Sequence, residues 1–209
     1  MKLLKYILPL FVCAFAASAC DDDWGNDNAA MAHVYYYGPE VWGYDSIKKG
    51  NNNVVHYEVA QGETVAIPMQ FWCEFVRKYD VVTYYYVAPK PAGEKYYPNA
   101  TATADVAYAG PELVCGEDYE VVDAQGNKLE PNADGAYEML WPNAEKGVQN
   151  IYIKALMNGK KGSFNVQTFD PASDVTLTNQ DVETTIQHKT SDYEVRIFTQ
   201  NYRVTVTIE

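Results

Sequence analysis

Cys20 is the residue whose position most plainly invites chemistry. Its thiol stands directly behind the small-residue triplet Ala17-Ser18-Ala19, which follows an apolar run from Tyr6 to Ala16 and a basic head, Lys2 and Lys5. A cut after that triplet would leave Cys20 as the first residue of the mature chain. The apolar run falls well short of the about 20 residues needed to span a bilayer, so residues 1–19 read as a removable secretory signal. Cys13 leaves with that segment. Cys73 and Cys115 then remain as an even pair that an oxidising compartment can join, and an unmodified Cys20 would be an odd, exposed thiol. Cys73 also alternates with core apolar residues, which equally suits a buried free thiol.

The Ala17-Ser18-Ala19-Cys20 arrangement resembles the lipobox of bacterial lipoproteins, in which the cysteine receives a diacylglycerol. Ala17 stands where that pattern usually has leucine, and the same triplet would also serve an ordinary signal peptidase. Asp21, Asp22 and Asp23 follow at once. As physics they are a solvated acidic run; their place behind the cysteine resembles the export signal of Bacteroidota surface lipoproteins. That resemblance implies an outer-membrane lipoprotein, anchored through Cys20 and facing the cell exterior. Residues 20–30 supply the lipidated cysteine and a short acidic tether. Asp45-Ser46-Ile47 is similar to the acceptor pattern for protein O-glycosylation in the same phylum.

Other reactive groups are sparse. The three histidines, His33, His56 and His188, are far apart and show no His-x-x-x-His spacing. His33 and His56 fall in alternating runs, where a structural role is expected. Nucleophile elbows, phosphate loops and dinucleotide fingerprints are absent, so the chain reads as non-catalytic. Aromatic residues stand out instead, with 18 tyrosines and 4 tryptophans in 209 residues. A sandwich core consumes many rings, and in Tyr84-Tyr85-Tyr86 alternation is read as one ring outward and two inward. Tyr36, Trp42, Tyr44, Trp72, Tyr96 and Tyr97 exceed what one face needs. Exposed, they would offer flat apolar platforms with polar tips for a sugar or a protein partner.

The elements that must position these side chains have period two. Ile67, Met69, Phe71, Cys73 and Phe75 alternate with Pro68, Gln70, Trp72 and Glu74, and Tyr202, Val204, Val206 and Ile208 with Arg203, Thr205, Thr207 and Glu209. Similar runs span 33–37, 54–59, 81–88, 101–108, 137–141, 148–156, 163–169 and 193–199. Gln61-Gly62, Gln125-Gly126-Asn127, Asn132-Ala133-Asp134-Gly135 and Asn158-Gly159 punctuate them as turns. The pattern predicts an all-β chain without a mature helix: an antiparallel β-sandwich over 31–209. Two small sandwiches joined near 89–99 are the alternative. Pro68 points to an edge strand or a bulge. The formal net charge is −12 and becomes more negative once Lys2 and Lys5 leave, which disfavours nucleic acid and anionic lipid.

From about Val54 to Phe169 the pattern resembles a Calx-beta domain, an immunoglobulin-like sandwich. The residues are Gly116-Glu117-Asp118-Tyr119 for its Gly-x-Asp-Tyr, Leu140-Trp141-Pro142 leading to Gly147, the strand Val148 to Ile153, Phe164-Asn165-Val166, and Val204 to Ile208 as the closing strand. Some Calx-beta domains bind calcium at one end through clustered carboxylates, a suitable donor set for a hard cation. The resemblance implies Glu117, Asp118, Asp170, Asp174 and Asp181 as ligands here, or as plain solvated loop carboxylates. The departure is the hairpin before Phe164, acidic in many members, which reads Asn158-Gly159-Lys160-Lys161-Gly162. No other cofactor is implied. The function expected is a non-catalytic cell-surface module binding a glycan or protein partner, with a fimbria-like adhesive subunit or a calcium-stabilised domain as alternatives.

Overall fold

Alternation becomes strand wherever one face can be buried, and the computed structural model shows eleven such strands among the residues it describes: 33–40, 56–73, 76–89, 111–173, 184–198 and 202–209. They are β1 (Val34–Pro39), β2 (His56–Val59), β3 (Thr64–Trp72), β4 (Val81–Pro89), β5 (Tyr119–Val122), β6 (Tyr137–Trp141), β7 (Gly147–Ala155), β8 (Gly162–Gln167), β9 (Thr184–Lys189), β10 (Glu194–Phe198) and β11 (Arg203–Ile208). The described residues hold no α-helix, and Pro142–Ala144 form a 3₁₀ turn. The run expected at 101–108 lies outside the described residues. Residues 1–32, with the signal, Cys20 and Asp21 to Asp23, lie outside them too.

The strands form a six-stranded sheet, in the order β5-β7-β3-β1-β10-β9, and a five-stranded sheet, in the order β2-β11-β8-β4-β6. Period-two residues of both sheets meet in one core. Tyr35, Tyr37, Ile67, Met69, Phe71, Ile151 and Ile153 come from the larger sheet, and Val81, Tyr85, Met139, Trp141, Phe164, Val204 and Val206 from the smaller. This is a β-sandwich, but not a purely antiparallel one. β1 runs parallel to β10, and β2 parallel to β11, so each sheet is mixed. Parallel neighbours need long crossovers, which local alternation does not reveal.

Three local expectations change. Pro68 lies in a strand with neighbours on both sides, β7 and β1. It is tolerated because its carbonyl, and so its missing N–H, faces β1 where that strand ends: Glu40 N–H donates to Pro68 O at 2.9 Å. In Tyr84-Tyr85-Tyr86 only Tyr85 enters the core, while Tyr84 and Tyr86 share the opposite face and are half-buried. On β11 the second face is also buried: Arg203 is 1 % exposed, with its guanidinium 5.3 Å from the centre of the Tyr202 ring. Burial pushes its pKa down to about 10, which leaves it charged at neutral pH.

One seam joins the sheets through side chains. β8 pairs with β4 only at Tyr86–Pro89, and β6 takes the other side of β4 from Val81 to Tyr85. The edge of β4 that β8 leaves is met by β9. Its pairing with β10 steps from Val195↔His188 to Arg196↔Ile186, so Gln187 is an extra residue in a bulge. The Gln187 amide accepts from Tyr84 N–H at 3.0 Å and donates to Tyr84 O at 2.8 Å and Thr168 O at 2.6 Å. A side chain thereby reproduces the paired donor and acceptor of a neighbouring strand.

Candidate aromatic binding face

Two of the six aromatic residues singled out above come together. β1 and β3 are antiparallel with Tyr36 opposite Trp72, on the face of the larger sheet turned away from the core. Phe198 of β10 completes the group. It stacks on Tyr36 with ring centres 5.5 Å apart and meets Trp72 edge-on at 6.0 Å. All three rings are half-buried. Such offset and edge-to-face contacts hold rings at low entropic cost and leave their outer edges for a ligand. Trp42, Tyr44, Tyr96 and Tyr97 lie outside the described residues. Phe198 was the member missed, although the alternation of Val195 and Ile197 into the core dictates that Arg196 and Phe198 face outward.

A charged group flanks the rings. Arg196, in register with Tyr36, donates from Nε to Glu194 Oε1 at 2.6 Å, and Lys189 Nζ lies 3.4 Å from Glu194 Oε2. Burial works to raise the Glu194 carboxyl, but the bonds and charges of Arg196 and Lys189 outweigh it and hold it below the usual carboxylate range. Ile186, opposite Arg196 on β9, is 43 % exposed. The face therefore presents aromatic surface, exposed aliphatic side chains and polar groups of both signs.

A second concavity lies where β5 covers only Tyr152–Ala155 of the nine-residue β7. A groove of about 480 Å³ opens there between β6 and β7, lined by Glu138, Leu140, Val148, Asn150 and Tyr152 among others. Gln149 bridges the two strands by donating to Leu140 O at 2.7 Å. The other carboxylate of the lining, Asp123, is taken up by its own turn, where it accepts from Gln125 N–H and from both the backbone and the amide of Asn127.

Among the described residues, the carboxylates of the calcium set do not come together. Asp118 is 3 % exposed, and its carboxylate accepts from Val114 N–H, Asn158 Nδ2 and Lys160 Nζ, each at 2.7 Å. Burial works to raise this carboxyl, and the three donors outweigh it, so the group is held below its ordinary value. The Lys160 ammonium occupies the place a cation would take, the physical consequence of the basic segment Asn158 to Gly162, which is a crossing between the two sheets rather than the hairpin expected from the sequence. Glu117 is exposed beside it. Asp170 lies past the opposite end of β8, where it accepts from Ala172 N–H in a turn. Asp174 and Asp181 lie outside the described residues. Among the described residues, no three His, Cys, Asp or Glu side chains gather as a metal site.

The two thiols are also apart. Cys73 follows the end of β3 that pairs with Gly147, whereas Cys115 bridges to Tyr119, at the end of β7 marked by Ala155. Eight strand residues at about 3.3 Å each separate those ends by roughly 25 Å, far beyond the span of a disulfide. Both are free thiols. Burial raises the Cys73 thiol, and Cys115 Sγ lies 3.7 Å from the Tyr137 hydroxyl. Among the described residues, no helix is long and apolar enough to cross a membrane. No family model matches the chain, and no curated protein matches it either.

Proposed function

We propose that this chain is a non-catalytic surface lipoprotein whose β-sandwich binds a glycan or protein partner through the outward Tyr36-Trp72-Phe198 cluster. The observation that carries the reading is the convergence of three aromatic rings from three strands on one outward face, beside the Arg196, Glu194 and Lys189 charges. Rings of this kind suit the apolar faces of sugars or the anchor residues of a protein, and the flanking charges can pair with hydroxyls or amides. The attachment rests on Cys20 behind Ala17-Ser18-Ala19, the outward placement on Asp21-Asp22-Asp23, and the Calx-beta-like, immunoglobulin-like character on the short matches given above. A diacylated cysteine carries two chains, enough for stable anchoring where one chain binds marginally.

Glycan arrays and affinity gels run with the Cys20→Ala chain test the binding reading. Retention of at least one polysaccharide or surface protein is the expected result. Absence of any retention, with the chain folded, removes it.

A further inference from the structure

We infer that His188 and Gln187 form an acid-sensitive clasp, which holds edge strand β9 against β4 while His188 is neutral and loosens when it takes up a proton. The clasp starts from the bulge, which inserts Gln187 and lets its amide pair with the backbone of Tyr84. His188 follows directly. Its ring sits edge-on between two tyrosines, 4.8 Å from the Tyr84 ring centre and 5.7 Å from that of Tyr193. Tyr193 belongs to the same seam, because its hydroxyl accepts from Val82 N–H at 3.2 Å. Both ring nitrogens of His188 are shielded from solvent, and among the described residues neither has a hydrogen-bond partner.

A neutral imidazole has one N–H, and the cation has two. Buried without an acceptor, the second N–H and the charge lose hydration and gain nothing in return. Among the described residues, the titratable groups facing the ring are Tyr84 from β4 and Tyr193 from the turn before β10; on the β10 side its neighbour is Val195. The nearest acidic pairing on these strands, Lys189 with Glu194, is satisfied within itself and with Arg196. Burial lowers the affinity of this ring for a proton, as the geometry requires. The sign follows. A folded pKa below the unfolded one, about 6.5, means the contribution is whole above that value and is lost as pH falls below it. The least costly response is local: His188 swings to solvent, and Gln187, its neighbour on the same bulge, releases Tyr84 and Thr168. β9 then frays from the sandwich while the core strands remain.

Hydrogen exchange on the full chain, followed for the Val82 and Tyr84 amides and corrected for the intrinsic pH dependence, tests this. Opening should rise at least tenfold between pH 7.5 and pH 5.0 in the wild type and stay flat in His188→Phe. Equal pH responses in the two proteins overturn the proposal. Should His188→Phe fail to fold, the imidazole carbon shifts of the wild-type protein decide: a midpoint below the ordinary value of about 6.5 supports the clasp, and an ordinary or raised midpoint contradicts it.

Discussion

Asp118 shows how much one buried carboxylate can organise. It gathers three donors from two segments, fixing the approach to β5 against the connection that carries the chain from β7 in one sheet to β8 in the other. Removing it leaves the Val114 N–H and the Lys160 ammonium without their acceptor. Asp118→Ala should therefore lower unfolding free energy by roughly 2–3 kcal/mol, measured by urea titration at pH 7. The same carboxyl sets a pH limit. Its folded pKa lies below the unfolded value of about 3.9, so its contribution is whole above that pH and fades as pH falls through the folded value. The gap between wild type and Asp118→Ala should accordingly narrow as the medium is acidified below pH 4. At this scale the sequence was partly legible. Gly116-Glu117-Asp118-Tyr119 drew attention to Asp118, but a short match does not say whether a carboxylate will meet calcium or lysine. Lys160, two residues past the Asn158 that shares the site, was the signal.

Among the elements, the strongly alternating strands were readable and the irregular ones were not. β3 buries Ile67, Met69 and Phe71 as their spacing requires. β5 and β9 escaped notice for different reasons. β5 has only four residues, too few for periodicity to rise above chance, and β9 reads Thr-Thr-Ile-Gln-His-Lys, a polar edge sequence broken by its bulge. Yet β5 places Tyr119 against Phe164 of β8, with ring centres 3.8 Å apart, across the sandwich. Phe164→Ala should cost about 3–5 kcal/mol. β9 contributes through Gln187, whose loss removes three hydrogen bonds at once. Gln187→Ala should destabilise by about 2 kcal/mol, read as a lower urea midpoint with little change in slope. Pairing partners of this kind depend on crossovers and bulges, which are properties of the folded chain rather than of any short window.

For the whole molecule, the sandwich and its acidic character were evident from patterning and charge, whereas the parallel pairs and the outward meeting of Tyr36, Trp72 and Phe198 were not. Tyr36 and Trp72 are far apart in sequence and meet only through the β1–β3 register. Where the protein sits and what it holds are tested independently. Mass spectrometry of the mature N-terminus should find diacylglycerol on Cys20, and protease added to intact cells should remove the domain. An unmodified Cys20 would refute the anchor and leave the binding face untouched. The most direct test of that face compares affinity for a captured glycan or protein partner between the Cys20→Ala chain and the same chain carrying Trp72→Ala. Thermal melting of both serves as the control for folding. The account predicts at least tenfold weaker binding on loss of the indole, with the melting transition retained; equal affinity in the two proteins would contradict it.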